Sequence, residues 1–254
     1  MYIYFTVCTG CKELYFKSYG EEGTIHLLIS QITLHFMKYM NWEGTQLSPK
    51  FQINHEHLQC RVFNTHLRWE LMPKGRSCKY IYVYRNGKDA CTSFFHHLSN
   101  QVDSGPYEGT FDSFVKDWID NKIIFGGWIA HLKSWITAAQ NSENNILLVR
   151  YEDMKTDLAG SLKRISAYLG CRVDDEFILN RILPFVTFDH MREHIHQYEP
   201  VSVQWRPGFS FIRKGEIGDH VGLFTEEHES LFNCMLEKEF PAGLPSWLDQ
   251  SLLR

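Results

Sequence analysis

The chain has 254 residues, of which 44% are hydrophobic and 22% are charged, and its formal net charge at pH 7 is −4. This length and composition fit a globular protein with a sizeable core, and the negative charge gives no support to a nucleic-acid or membrane-surface role. Its seven scattered cysteines do not form the pattern of a disulfide framework, which favours a cytoplasmic protein.

Strands and helices alternate in the predicted secondary structure. Apolar, β-rich segments predict strands over residues 13–16, 61–65, 80–84 and 146–149. Helical spacing of apolar residues predicts helices over residues 24–40, 111–120, 128–139, 158–169, 174–183 and 225–238. Asp157 is a plausible cap for the helix that ends before Gly170. Strands separated by helices predict a parallel sheet that is covered on both faces.

Residues 17–24 form the first segment with a phosphate-binding pattern, between a predicted strand and a predicted helix. Backbone N–H groups at the start of a helix favour an anion. Gly20 and Gly23 permit a tight turn, and Lys17 and Thr24 supply donors. The Gly-Lys-Ser/Thr ending of a Walker loop is missing, so an ordinary turn is an equal interpretation.

Two further segments follow predicted strands, where ligands bind in open α/β sheets. His66 ends the triplet Asn64-Thr65-His66 and is a candidate general base, although a lone histidine is more often a structural hydrogen-bonder. Arg85 leaves the next strand and precedes a predicted helix that contains Ser93. An arginine paired with a neighbouring carboxylate is the alternative interpretation.

Two later segments complete the series. Residues 148–154, LVRYEDM, place a polar cluster at the end of a strand, and a turn with acidic caps explains that pattern equally well. Residues 213–219, RKGEIGD, combine two adjacent cations with two glycines. Arginine offers a planar fork of donors and lysine a point charge, and glycine lets the backbone approach a ligand closely. Together these features suit a phosphate.

In this order, the segments resemble the cytosolic sulfotransferase family. The matching stretches are YIYVYRNGKDACTSFFH, GGWIAHLKSW, ILLVRYEDM, TFDHM and FIRKGEIGD. The resemblance implies a single α/β domain over residues 1–254, with a central parallel sheet flanked by helices and a P-loop-like nucleotide-binding fold. It also implies 3′-phosphoadenosine 5′-phosphosulfate (PAPS) as co-substrate, no metal, and a small phenol, alcohol or amine as the sulfuryl acceptor.

The resemblance also assigns roles to individual residues. The 3′-phosphate of the nucleotide would be held by Arg85, Ser93 and a loop of residues 211–219 that contains Arg213, Lys214 and Gly215. Phe188 would stack on the adenine, and Tyr151 would contact the nucleotide. The 5′-phosphosulfate would lie in the loop of residues 16–25, whose binding residues are Lys17, Ser18, Gly23 and Thr24. His66 would be the general base, and the charge of Lys17 would assist the leaving phosphate.

Departures from the family pattern lie mainly at the 5′ end of the nucleotide and at the acceptor. Residues 19–22 interrupt the loop around Lys17, and Asn64 stands where the family has lysine. His220 replaces the tryptophan expected after Gly218-Asp219. Little chain precedes Lys17, which indicates an altered or truncated N-terminal region. The family's dimer motif survives only as Thr225, so a monomer or weak homodimer is predicted.

A PAPS-dependent sulfotransferase is the leading functional prediction, since Lys17 and His66 are present. The alternative is a catalytically impaired 3′-phosphonucleotide-binding protein of the same fold, which Asn64 and the interrupted loop favour. A P-loop kinase is disfavoured because neither the Walker lysine pattern nor a metal-holding aspartate pattern is found. The sequence does not identify the acceptor.

Overall fold

The computed structural model describes residues 5–9, 61–72, 74, 78–102, 105–124, 126–170, 174–199, 203–243 and 245. Four strands form one sheet in the order β2-β1-β3-β4. The strands are β1 (Phe5–Thr9), β2 (Arg61–Thr65), β3 (Lys79–Tyr84) and β4 (Ile146–Arg150). Strands β3 and β4 are parallel, whereas β1 runs antiparallel to both β2 and β3.

This topology brings three strand ends to one edge of the sheet. Because β1 is reversed between β2 and β3, the strands β2, β3 and β4 all run in the same direction. Phe5 lies opposite Thr65 on one side and Tyr82 on the other, and Tyr84 lies opposite Arg150. The segments that follow β2, β3 and β4 therefore leave the sheet at the same edge.

The described helices account for most of the remaining regular structure. They are α1 (Gly87–Ser99), α2 (Phe111–Ile119), α3 (Trp128–Ala139), α4 (Tyr151–Thr156), α5 (Leu158–Leu169), α6 (Asp175–Phe177), α7 (Phe188–Glu193) and α8 (Glu226–Glu239). A π turn (Ile178–Ile182) continues α6, and 3-10 turns include Trp69–Leu71, Ile195–Gln197 and Asp219–Gly222.

Local capping explains where several helices begin and end. The Asp157 side chain accepts a hydrogen bond from the Gly160 N–H at 2.8 Å and so caps α5. Gly170 ends that helix in the left-handed conformation, with φ of +83°. A capping box begins α8: the Thr225 hydroxyl accepts from the His228 N–H, and the His228 ring accepts from the Thr225 N–H.

One aromatic-rich core lies between the sheet and helices α1, α2, α3 and α8. Tyr82 of β3 is fully buried and stacks on Trp135 of α3, with ring centroids 5.0 Å apart. The opposite face of β3 carries Lys79 and Ile81, because successive side chains alternate across a strand. Lys79 donates to carbonyl groups at the end of α5, so α5 lies on that second face. Helices thus cover both faces, and the predicted α/β fold class is confirmed.

Most predicted elements within the described residues are confirmed. The predicted parallel pairing is found between β3 and β4, whereas β1 is antiparallel to both of its neighbours. The sequence analysis missed β1, whose five residues are held by pairing with strands more than 50 residues away and carry little local signal. The helix predicted over 174–183 is a short α-turn followed by a π turn. It ends before Pro184, which has no N–H to continue the helix. The predicted strand 13–16 and helix 24–40 lie outside the described residues.

Gly87 at the start of α1 generates a stability prediction. A Cβ added there would lie 2.7 Å from the Phe232 ring and 2.8 Å from the Trp128 ring, both in the core. Overpacking of this kind typically costs about 1–3 kcal/mol, so Gly87→Ala should lower the free energy of unfolding by about that amount in urea denaturation. Gly222→Ala is the control, because no atom lies within 4 Å of its added Cβ. Equal stability of the two variants would contradict the prediction.

Candidate functional site

The three coincident strand ends place three predicted site residues along one edge of the sheet. His66 follows β2, Arg85 follows β3, and Tyr151 follows β4. Neighbouring strands are about 4.8 Å apart, so the ends of β2 and β3 are separated by about 10 Å across β1. The predicted location of the site at the carboxyl ends of strands thus agrees with the geometry.

The turn that leaves β3 is fixed by polar contacts to β4 and α4. Asn86 caps α1, since its side-chain oxygen accepts from the N–H groups of Lys88 and Asp89 at 2.9 and 3.2 Å. Its own N–H donates to the buried carboxylate of Glu152 at 2.9 Å, and Arg150 donates to the same carboxylate at 3.3 Å. The backbone around Arg85 is therefore anchored to the end of the neighbouring strand.

Arg85 lies at the centre of the site and is largely buried. Its Nη2 donates to the Glu216 carbonyl at 2.9 Å and to Asp89 at 3.3 Å. Its guanidinium group lies 4.4 Å above the Tyr151 ring. The Nε of Arg85 is buried and has no hydrogen-bond partner among the described residues. A buried guanidinium N–H without a partner is unfavourable, so an anionic ligand would complete the bonding of this residue.

Asp89 connects α1 to the loop of residues 211–219. Its carboxylate is fully buried and accepts from the N–H groups of Gly218 at 2.9 Å and His220 at 3.1 Å, and from the His220 ring at 2.7 Å. Burial alone raises the pKa of Asp89, but the His220 hydrogen bond, the charge of Arg85 and the two N–H groups together lower it to about 2. The carboxylate is therefore ionised near neutral pH.

The cations of this loop are held by a second buried carboxylate. Asp219 forms ion pairs with Arg213 and, at 2.8 Å, with Lys214. Burial and the nearby positive charge of Arg85 lower the pKa of the Arg213 guanidinium. Three cations from two distant segments thus converge with two carboxylates. Arg85, Arg213 and Lys214 concentrate hydrogen-bond donors at this point, which suits an anionic ligand.

Gly215 and Phe188 are in close contact. Gly215 has φ of +64°, and a Cβ added to it would lie 2.3 Å from the Phe188 ring. Glycine is required here both for the left-handed backbone and for the space that the ring occupies. Lys155 lies over the Phe188 ring at 5.2 Å. One aromatic ring is therefore held against the backbone of the basic loop.

Ser93 lies on the face of α1 that points to the loop. Asp89, Ser93 and His96 follow i, i+4 and i+7 spacing and share one helix face. Asp89 bonds to the loop directly. Burial and, to a lesser extent, the charges of Arg213 and Lys214 lower the pKa of His96 to about 4. On this face Ser93 lies between Asp89, which bonds to the loop of residues 211–219, and His96, whose pKa is lowered in part by the charges of that loop.

His66 lines a separate cavity of about 390 Å³. The other lining residues are mostly apolar or small, and they include Leu67, Leu71 and Ala130, with Arg68 and Asn121 as polar members. His131 of α3 lies against this segment, with its Nε2 3.2 Å from the His66 carbonyl oxygen and its Nδ1 3.1 Å from the Tyr82 hydroxyl. A half-buried histidine beside a largely apolar cavity suits proton transfer with a small organic molecule.

The structure thus brings six predicted residues into one cluster and leaves others apart. The clustered residues are Arg85, Tyr151, Phe188, Arg213, Lys214 and Gly215. Ser93 faces the cluster, and His66 lies two strands away at the same edge. Lys17, Ser18, Gly23 and Thr24 lie outside the described residues. The alternative interpretation of Arg85, an ion pair with a neighbouring carboxylate, is also observed, because Arg85 pairs with Asp89. Arg85 therefore forms this ion pair and still keeps a buried Nε that is available to a ligand.

Sequence analysis missed the residues that hold this cluster together. Asp89, Glu152, Asp219 and His220 were not predicted to be site residues, yet their side chains are buried. Asp89 and Asp219 bond directly to the predicted cations, whereas His220 bonds to Asp89 and Glu152 bonds to the neighbouring Asn86 and Arg150. Asp89 had one usable signal, because it lies four residues after Arg85, at ion-pair spacing on a helix. The contacts of Glu152 and His220 join distant segments, for which a single sequence gives no indication.

Asp89 generates a prediction about acid stability. A folded-state pKa of about 2, below the ordinary 3.8, contributes stability above pH 3.8 that is lost as the pH falls towards 2. Asp89→Asn should therefore be less stable than wild type at pH 7, and the gap should narrow as the pH falls through this range in urea denaturation. Asp175→Asn is the control, because that carboxylate is 71% exposed. A gap that is independent of pH would contradict the prediction.

No helix in the described ranges is both long and apolar enough to cross a membrane.

Comparison with known proteins identifies the family. A model of the sulfotransferase domain matches residues 19–242. Mouse sulfotransferase 1B1 is 30% identical over an alignment of 186 residues, and the match covers 70% of this chain and 60% of that protein. Rabbit amine sulfotransferase is 28% identical over an alignment of 247 residues, and the match covers 89% of this chain and 80% of that protein. This chain therefore spans about three fifths of the length of the mouse relative.

A solved structure agrees with these matches. The crystal structure of mouse sulfotransferase SULT7A1 complexed with PAP superposes with a TM-score of 0.55 at 27% identity, covering 64% of this chain and 58% of that one. Because the family model matches well over half of the residues, this chain belongs to the sulfotransferase family.

Proposed function

We propose that this chain is a PAPS-dependent sulfotransferase that transfers a sulfuryl group to a hydroxyl or amine of a small acceptor. The observation that carries the proposal is the convergence of Arg85, Arg213 and Lys214 at the strand edge, with Arg85 Nε buried and lacking a partner among the described residues. Membership of the sulfotransferase family and the likeness to a structure with bound PAP support the same conclusion.

The cationic cluster fits the 3′-phosphate of the nucleotide. Arg85 would donate Nε to a phosphate oxygen while its Nη2 stays bonded to Asp89 and Glu216. Arg213 and Lys214 would add positive charge, and the Ser93 hydroxyl would donate from the facing side of α1. Because two guanidinium groups lie near each other, an anion between them would reduce their repulsion.

The aromatic residues fit the nucleoside part. The Phe188 ring packs against Gly215 beside the basic loop and would stack on the adenine, with Lys155 as a neighbour that would have to make room for the base. Tyr151 lies under the Arg85 guanidinium and is half-buried, which supports its proposed contact with the nucleotide. Tyr151 begins the helix that directly follows β4, and Phe188 begins α7.

His66 fits the role of general base for the acceptor. The cavity beside it is lined largely by apolar atoms, which suits a small phenol, alcohol or amine. The name of the rabbit relative, amine sulfotransferase, supports an amine as one of these acceptors. His66 would take the proton of the acceptor hydroxyl or amine as the new bond to sulfur forms. PAPS supplies the sulfuryl group and leaves as adenosine 3′,5′-bisphosphate.

The remaining predictions concern the 5′ end of the nucleotide and the cellular context. Lys17, Ser18, Gly23 and Thr24 would hold the 5′-phosphosulfate, and the charge of Lys17 would stabilise the leaving phosphate. Cytoplasmic location, a monomer or weak homodimer, and the absence of nucleic-acid, membrane and metal partners stay predictions from the sequence. No contact among the described residues favours the impaired alternative over the active enzyme.

The proposal predicts 3′-phosphate-dependent binding through Arg85. Arg85→Ala should weaken the affinity for adenosine 3′,5′-bisphosphate by about 10- to 100-fold, because a charge-assisted hydrogen bond contributes about 1.5–3 kcal/mol. Affinity for 5′-AMP, which lacks the 3′-phosphate, should change little, and calorimetric titration measures both. Arg192→Ala on α7 is the control, because that side chain is exposed. An equal loss of affinity for both nucleotides would show that Arg85 does not bind the 3′-phosphate.

The role of His66 predicts a loss of rate without a loss of nucleotide binding. His66→Ala should lower kcat by about 10²- to 10⁴-fold in transfer of labelled sulfate from PAPS to a panel of phenols and amines. The Kd for adenosine 3′,5′-bisphosphate should stay at the wild-type value. His196→Ala, which removes an exposed histidine, should keep full activity. A His66→Ala enzyme as fast as wild type would show that another group accepts the proton.

A further inference from the structure

We infer that His220 is a positioning residue for the 3′-phosphate site, which acts by fixing the carboxylate of Asp89 and, through it, the guanidinium of Arg85. The inference rests on the proposed function, since it assigns a role in the same nucleotide site. Among the described residues, the His220 ring and N–H bond to Asp89 and no described contact joins His220 to Arg85, so the inferred effect passes through Asp89.

The two oxygens of the Asp89 carboxylate have different partners. Oδ1 accepts from the His220 N–H at 3.1 Å and from the His220 Nδ1 at 2.7 Å. Oδ2 accepts from the Gly218 N–H at 2.9 Å and from Arg85 Nη2 at 3.3 Å. Holding one oxygen therefore fixes the rotation of the carboxylate and the direction of the other.

The His220 ring must donate in this pair. The pKa of Asp89 lies at about 2, so its carboxylate is ionised near neutral pH and can only accept hydrogen bonds. Nδ1 of His220 therefore carries a proton. Both side chains are almost completely buried, at 3% and 1% exposure, where a hydrogen bond to a charged group is strong and its loss is costly.

Fixing Asp89 determines which donors Arg85 keeps for a ligand. With Nη2 engaged by Asp89 Oδ2 and the Glu216 carbonyl, the guanidinium plane is set and Nε is left for another acceptor. If the Nδ1 hydrogen bond is lost, the carboxylate can rotate and seek compensation from Arg85 through either oxygen. It would then compete with the phosphate for the donors of the same guanidinium.

His220 also has a packing role, which the experiment must separate. Its ring meets the Phe224 ring edge-on at 5.6 Å. His220→Phe keeps an aromatic ring of similar size but removes the donor. His220→Asn loses ring packing but keeps an amide N–H close to the position of Nδ1. His220→Phe therefore tests the loss of the hydrogen-bond donor, and His220→Asn tests the loss of ring packing.

The measurement is the ratio of the Kd for 5′-AMP to the Kd for adenosine 3′,5′-bisphosphate, determined by calorimetry on the full chain. We expect His220→Phe to reduce this ratio by about 10-fold, the size of one charge-assisted hydrogen bond, and His220→Asn to keep it near the wild-type value. Thermal unfolding of each variant reports the packing contribution separately.

His228→Phe is the matched control. His228 is also buried, pairs with a carboxylate, Asp112 at 2.9 Å, and meets the same Phe224 ring at 5.6 Å. Its loss should lower stability through the α8 cap and leave the ratio unchanged. An unchanged ratio in His220→Phe would overturn the inference, and so would an equal loss in all three variants. Failure of the wild-type chain to bind adenosine 3′,5′-bisphosphate would instead contradict the proposed function.

Discussion

The buried carboxylate of Asp89 is the group on which the candidate nucleotide site depends, because it joins the start of α1 to a loop 129 residues later in the chain. It accepts four hydrogen bonds from three residues, which include one buried cation, one imidazole and two backbone N–H groups. A buried carboxylate without these partners would be strongly unfavourable. The ionised Asp89 side chain therefore stabilises the position of the loop against α1, and the loop in turn stabilises the charge of Asp89.

The same contacts hold positive charges closer together than their mutual repulsion favours. Arg213 lies near enough to Arg85 for its pKa to be lowered by that charge, and Asp219 pairs with both Arg213 and Lys214. Two buried carboxylates thus orient three cations. An electrostatic site of this kind is organised before a ligand arrives, so less of the binding free energy is spent on arranging its donors.

Sequence patterns predicted the parts of this arrangement that have a local cause. The helix over 158–169 has a cap and a glycine stop, and Arg85 lies at the end of an apolar strand, so periodicity and strand ends were enough to place them. The missing parts are non-local. Strand β1 is defined by its pairing with β2 and β3, and the bonds of Asp89 and Glu152 connect segments that the sequence separates by 66 to 131 residues.

The missed strand also decides how the two halves of the candidate site are related. Because β1 separates β2 from β3, His66 lies about 10 Å from the end of the strand that precedes Arg85. Had β2 paired directly with β3, that separation would be about half as large. A nucleotide bound through its 3′-phosphate must extend from the Arg85 cluster towards its 5′ end before a transferred group can reach the cavity at His66. Under the proposed function, the spacing imposed by β1 therefore sets how far the donor must reach between the two sites.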